Sequence, residues 1–166
     1  MDSTAEATRS GVKCGFLSFG GSATRLSAQK VTHLLERALD LRLFEDHKQM
    51  RLGPYDSSAR YRNAEPIAKK QGWLAIEGTV LRPGAESTRV SSYARRYVRD
   101  DRVARDLVQV LAKLSDAELE TWATIEWVMR ELVADRARFD PASIRARLAA
   151  TPAWAPRLAT ARFGIS

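Results

Sequence analysis

The sequence predicts a mainly α-helical fold with a small β-ribbon: a winged-helix-like centre followed by a C-terminal helical hairpin or bundle. Three observations predict it. Apolar residues recur every three or four positions from about 28 to 43, and again from about 100 to 135. Between these runs, "WLAIEGTVL" at 73–81 changes to near-alternation and carries Trp, Ile, Thr and Val, which suit a strand. Pro and Gly are absent from both helical runs and cluster outside them, at 53–54 and 83–84. With 166 residues the chain has the size of one domain. It divides into a flexible or docking N-terminal segment (1–26), a winged-helix-like region (27–98) and a helical region (99–166) packed on it as one compact unit.

Taken in order, Phe16, Leu17 and Phe19 form a short strand or docking segment within an otherwise loop-like stretch. Ser27 is the predicted N-cap of a helix over 28–43, whose stripe is Val31, Leu34, Leu35, Ala38, Leu41 and Leu43. Gly53-Pro54 is turn chemistry, since proline presets φ and glycine admits conformations that other residues avoid. Asp56 and Ser57 offer side-chain oxygens to cap a helix over 58–63. A second helix is predicted over 66–71, capped by Asn63, entered by Pro66 and stopped by Gly72. After the strand at 73–81, "RPGAES" is a turn and "TRVSSYARRYV" returns as the second strand of the ribbon. Asp100 or Asp101 starts the next helix, with Val103, Leu107, Val110, Leu111 and Leu114 on one face. "SDAE" at 115–118 is a capping box opening a helix to about 135 that buries Leu119, Trp122, Ile125 and Met129. Asp140-Pro141 starts a last short helix, and "TPAWAP" ends it.

The composition is that of a soluble globular protein, 45% hydrophobic and 28% charged. A chain this long buries roughly two-thirds of its unfolded surface and needs no disulfide or metal to fold. Cys14 is the only cysteine, which excludes a disulfide framework and suits a reducing cytoplasm. No stretch reaches the roughly 20 apolar residues of a membrane span, and the N-terminus has no signal-peptide core. The chemistry of a catalyst is missing from the pattern. Gly20-Gly21-Ser22 has no following lysine and no strand–turn–helix setting, so it is not a phosphate loop. His33 and His47 lie 14 positions apart with no ligand partner at metal spacing. Cys14 and Ser22 have no activating base nearby in sequence. Glu118, Glu120, Glu126 and Glu131 read as the solvated face of an amphipathic helix. No cofactor and no metal are expected.

The charge is more informative. The net charge is +7, and arginine supplies 21 of the 27 cations. Lys48, Arg51, Arg60, Arg62, Lys69 and Lys70 face only Asp56 and Glu65 in the same segment, and Arg82, Arg89, Arg95 and Arg96 continue the excess through the ribbon. From Ser115 to Asp140 the sign reverses, with seven acids against Arg130, Arg136 and Arg138. Such asymmetry suits a polyanion on one face, and these ten cations are the candidate contacts to double-stranded DNA. The alternative is a protein-only adaptor that masks a partner protein through Trp122, Trp127 and the acidic helices. Self-association is compatible with either.

"RLGPYDSSARYRNAEPIAKKQGWL", residues 51–74, resembles a motif of a helical domain attached to some specificity subunits of type I restriction systems. The matching positions are Arg51, Gly53, Pro54, Tyr55, Asp56, Glu65, Lys69, Lys70, Gln71, Gly72 and Trp73. "HLLERALDL" before it and "ELETWATIEWVM" after it fall in the same order, which extends the likeness over 30–135. A weaker likeness is to antitoxin-type domains with a Gly-Pro turn after the first helix. The chain departs from the restriction pattern in having no target-recognition domain ahead of the motif. The resemblance implies a bacterial or phage setting of defence or counter-defence and no catalytic residues.

Overall fold

The computed structural model describes residues 21–41, 47–57, 64–90 and 101–155. The chain is mainly helical with small antiparallel sheets. Strand β1 (Ala23–Thr24) leads directly into helix α1 (Arg25–Ala38), and β2 (Lys48–Met50) and β3 (Gly53–Tyr55) form a hairpin. Helix α2 (Ala64–Lys70) runs into the hairpin of β4 (Leu74–Glu77) and β5 (Val80–Pro83). Helices α3 (Asp101–Leu111), α4 (Asp116–Ala134) and α5 (Pro141–Ala150) complete the order. β1 pairs with β5, which gives a three-stranded sheet in the order β1–β5–β4. Among the described residues no helix is long and apolar enough to cross a membrane.

Three small apolar clusters make the core. Val31 and Leu35 of α1 meet Ala64, Ala104, Val108, Leu111 and Leu119. Ala28 of α1 meets Ala68, Leu74, Leu81 and Val90, so α1 serves the sheet as well as the helices. Val128 and Leu132 of α4 meet Leu148 of α5 and Trp154, which is fully buried.

Local signals account for most helix ends. Ser115 and Glu118 exchange the two bonds of a capping box, Ser115 N–H to Glu118 Oε2 at 2.8 Å and Glu118 N–H to Ser115 Oγ at 3.3 Å. Asp140 caps α5 with Pro141 in the first turn. Gly72, at φ +69°, ends α2 in a Schellman motif: its N–H bonds Lys69 O, and Trp73 N–H bonds Ala68 O.

Several expectations are corrected. The N-cap of α1 is Thr24, whose hydroxyl accepts from Ser27 N–H, and the helix closes at Ala38. Ser27 lies one turn inside, and both hydroxyls donate to the Asp116 carboxylate of α4. Gly53-Pro54 is strand rather than turn: the turn is Arg51-Leu52, and Met50 registers with Gly53. The run 73–81 is not one strand. It breaks at Gly78, φ +60°, followed by Thr79, the glycine-first pattern of a type II′ hairpin. The return strand therefore comes from Val80–Pro83, and residues 88–90, expected as strand, are helical. α3 buries Ala104, Val108 and Leu111 and leaves Val103 and Val110 exposed. Leu107 and Leu114 pack against the same cluster as the buried three. α4 buries Leu119, Ala123, Val128 and Leu132 and turns Trp122 outward. The segment 16–19, Asn63 and the helix expected over 58–63 lie outside the described residues.

Candidate functional site

The GPYD segment is held from below by α1. Lys30 is fully buried and its Nζ donates to Pro54 O at 2.5 Å. Gln29 Nε2 donates to Asp56 O at 3.1 Å and Gln29 Oε1 accepts from Asp56 N–H at 3.3 Å, so the side-chain amide acts as a strand partner. Arg25 Nε pairs with Glu65 at 2.8 Å, and Arg25 Nη1 donates to Gly78 O at 2.8 Å. The opposite wall is α4. A Cβ built on Gly53, φ +81°, would stand 2.6 Å from Thr124 Oγ1, so only glycine fits this crossing. Trp154 Nε1 donates to Met50 O at 3.0 Å and ties the C-terminal tail to the same hairpin. Five of the eleven motif positions are thus architectural: Gly53, Pro54, Asp56, Glu65 and Gly72 fix backbone or receive α1.

What remains exposed is cationic. Lys48 and Arg51 stand on the β2–β3 hairpin beside the exposed Met50 and Leu52. Lys69 and Lys70 stand on the last turn of α2, on its outward side with Pro66. These four make no ion pair among the described residues. Arg82 is exposed but paired with Glu77 at 3.0 Å, and Arg89 with Glu86 at 2.9 Å. The α2 end and the β4–β5 hairpin are one continuous unit, since Gly84 N–H bonds Trp73 O and Glu86 N–H bonds Gly72 O, both at 2.9 Å. Lys69, Lys70, Arg82 and Arg89 therefore belong to one substructure, and Lys48 and Arg51 to another. Arg60, Arg62, Arg95 and Arg96 lie outside the described residues.

Trp122 is 55% exposed, whereas Trp127 is half-buried, packs on the C-terminal cluster and donates from Nε1 to Glu131 at 2.9 Å. Spacing alone gave no sign of a polar cluster between α1 and α4. His33, fully buried, lies 4.8 Å from the His47 ring and 2.7 Å from Glu126 Oε2. Glu36 is buried beside His47, at 3.8 Å. Glu120 and Glu126 are correspondingly not on a solvated face: Glu120 is buried and Glu126 is half-buried. Burial pushes His33 below its ordinary value and outweighs the opposing pull of Glu126, so a neutral imidazole donates Nε2–H to the carboxylate. Burial alone would raise Glu126, but bonds from His33 and Arg130 hold it below the usual carboxylate range. Among the described residues no group of three or more His, Cys, Asp or Glu side chains is arranged to hold a metal ion. No family model matches the chain, and neither a curated protein nor a solved structure matches it.

Proposed function

We propose that this protein binds double-stranded DNA as a non-enzymatic accessory of a bacterial or phage defence or counter-defence system. The observation that carries the reading is the set of exposed cations with no acidic partner among the described residues: Lys69 and Lys70 on α2, Lys48 and Arg51 on the hairpin. Unpaired surface cations release counterions when they meet phosphates, whereas paired ones must first give up an acid. The strand order β1–β5–β4, with β1 running into α1 and β4–β5 following α2, supports a winged-helix-like centre in which α2 meets DNA and β4–β5 is a short wing. α4 and α5 then act as the C-terminal helical hairpin behind it. The defence setting rests on the resemblance of residues 51–74.

The test is a titration of fluorescent duplex DNA between about 50 and 200 mM salt. Each phosphate contact contributes about 0.9 to the slope of log K against log salt, so Lys69→Ala with Lys70→Ala flattens it by roughly 2. An unchanged slope assigns these lysines to the helix dipole alone.

A second reading is favoured by one observation, the exposure of Trp122 together with Val103 and Val110. In it the chain masks a partner protein through its helical side. Trp122→Ala then abolishes capture by the partner and leaves DNA affinity unchanged.

A further inference from the structure

α1, α3 and α4 leave a cavity of about 310 Å³ between them, away from the exposed cations of the DNA reading. Leu34, Leu107, Leu111 and the Trp122 side chain make its walls. A volume of this size lies at the lower end of small-ligand sites and has room for roughly ten non-hydrogen atoms at liquid density. It is too small for a peptide helix and well suited to one compact apolar body.

Two charged residues also line it, Arg37 and Glu126, and their situations differ. Glu126 is spent: Oε1 accepts from Arg130 Nε at 2.5 Å, and Oε2 meets His33 at 2.7 Å. Arg37 is not. Its Nε is shut off from solvent and has no hydrogen-bond partner among the described residues. Arg37 also forms no ion pair among the described residues, so its guanidinium brings uncompensated positive charge to the cavity wall; the shut-off Nε lies behind that wall and is not itself the contact. Among the described residues the lining is apolar apart from Glu126, which is paired with His33 and Arg130, and Arg37, which has no acid within ion-pair distance. We infer that this cavity binds a small apolar carboxylate, with its hydrocarbon or aromatic body against Trp122 and the leucines and its carboxylate on Arg37. The inference is independent of DNA binding.

The experiment uses the full chain and two matched probes, 4-phenylbutyrate and 4-phenylbutan-1-ol, followed by the indole N–H signals in a ¹H–¹⁵N spectrum. The acid is expected to shift Trp122 saturably with a Kd of about 0.1–1 mM, as befits a ligand of this size. The alcohol binds at least about tenfold more weakly, because it cannot make the charge-assisted bond. Arg37→Gln removes that difference. Ala38→Trp, at an exposed position on the cavity rim, blocks both probes without touching the core. Equal affinity for acid and alcohol in the unaltered protein overturns the inference, as does acid binding that neither substitution weakens, or the absence of saturation by about ten times the expected Kd. If Arg37→Gln does not fold, the acid-to-alcohol ratio and Ala38→Trp decide the matter alone.

Discussion

The two hairpins of this protein are both gripped by α1, and they are gripped in opposite ways. Lys30 reaches Pro54 O from a fully buried position, whereas Arg25 reaches Gly78 O across an exposed one. Gly53 has α4 against it, whereas a Cβ at Gly78 would meet nothing within 4 Å. β2–β3 is therefore locked between α1, α4 and Trp154, and the tip of β4–β5 is open. A charge-assisted bond to a backbone carbonyl means different things in these settings. In the buried one, removal of either partner strands a group that water cannot reach, and in the exposed one water replaces it. The cations follow the same division, since Lys48 and Arg51 ride on the locked hairpin and Arg82 on the open one, where it already has an acid.

The largest effect should come from the far side of the lock. Trp154→Ala removes a fully buried indole and leaves Met50 O without its donor, which places the cost at about 3–5 kcal/mol. Urea unfolding measures it. A cost below about 1 kcal/mol would mean that the tail does not hold the hairpin. Next are the paired glycines. Gly53→Ala combines a left-handed backbone with a contact to Thr124 Oγ1, which cannot swing away without giving up its bond to Glu120 O. The expected cost is about 3 kcal/mol, against about 1 for Gly78→Ala, where only the backbone objects. Equal costs at the two sites would break the comparison.

The locked side also holds the titrating groups. His33 in the folded state lies below its ordinary value and in the unfolded chain returns to about 6.5. Below that pH the unfolded chain takes up a proton that the folded one refuses, so stability falls with pH by up to about 1.4 kcal/mol per unit until the folded value is reached. Glu126, held low, contributes stability that is complete above about 4.5 and is lost as pH falls through its folded value. Denaturant midpoints between pH 7 and 5 read the first window. His33→Gln keeps a donor to Glu126 and should flatten that slope. The same slope in both proteins would show that His33 is not the group responsible.

What could be read in advance was what depends on neighbours in sequence. Ser115 with Glu118, Asp140 with Pro141, and Gly72 after Lys69-Lys70-Gln71 each specify a helix end within four residues, and each end is where they put it. The hairpin at 74–83 was also written locally, in Gly78-Thr79, but apolar residues on both sides of that glycine imitate one long strand. The polar half of α1 was not legible at all. Gln29, Lys30 and His33 look like a solvated face because their partners, Asp56, Pro54 and Glu126, are 24 to 93 positions away. No periodicity reports a bond over that distance. Trp154 offered one clue, a lone large aromatic in a proline-broken tail, and what it pins is a carbonyl 104 residues earlier.

The smallest effect separates the two sides at their helix ends. α2, which feeds the open hairpin, closes on Gly72. α1 and α4 close on the same Schellman geometry with Asp40 at φ +50° and Arg136 at φ +52°: Leu41 N–H bonds Glu36 O, and Ala137 N–H bonds Leu132 O. A side chain at that φ crowds the following carbonyl, and aspartate tolerates the conformation better than arginine does. Arg136 is exposed and forms no ion pair among the described residues, so nothing offsets the strain there. Arg136→Gly should therefore stabilise the protein by about 0.5–1 kcal/mol, visible as a rise in Tm of a few degrees. The gain is net of the extra freedom glycine confers on the unfolded chain, which works in the other direction. A fall in Tm would mean that this entropy outweighs the relieved strain, and that the α4 cap, unlike that of α2, does not need glycine.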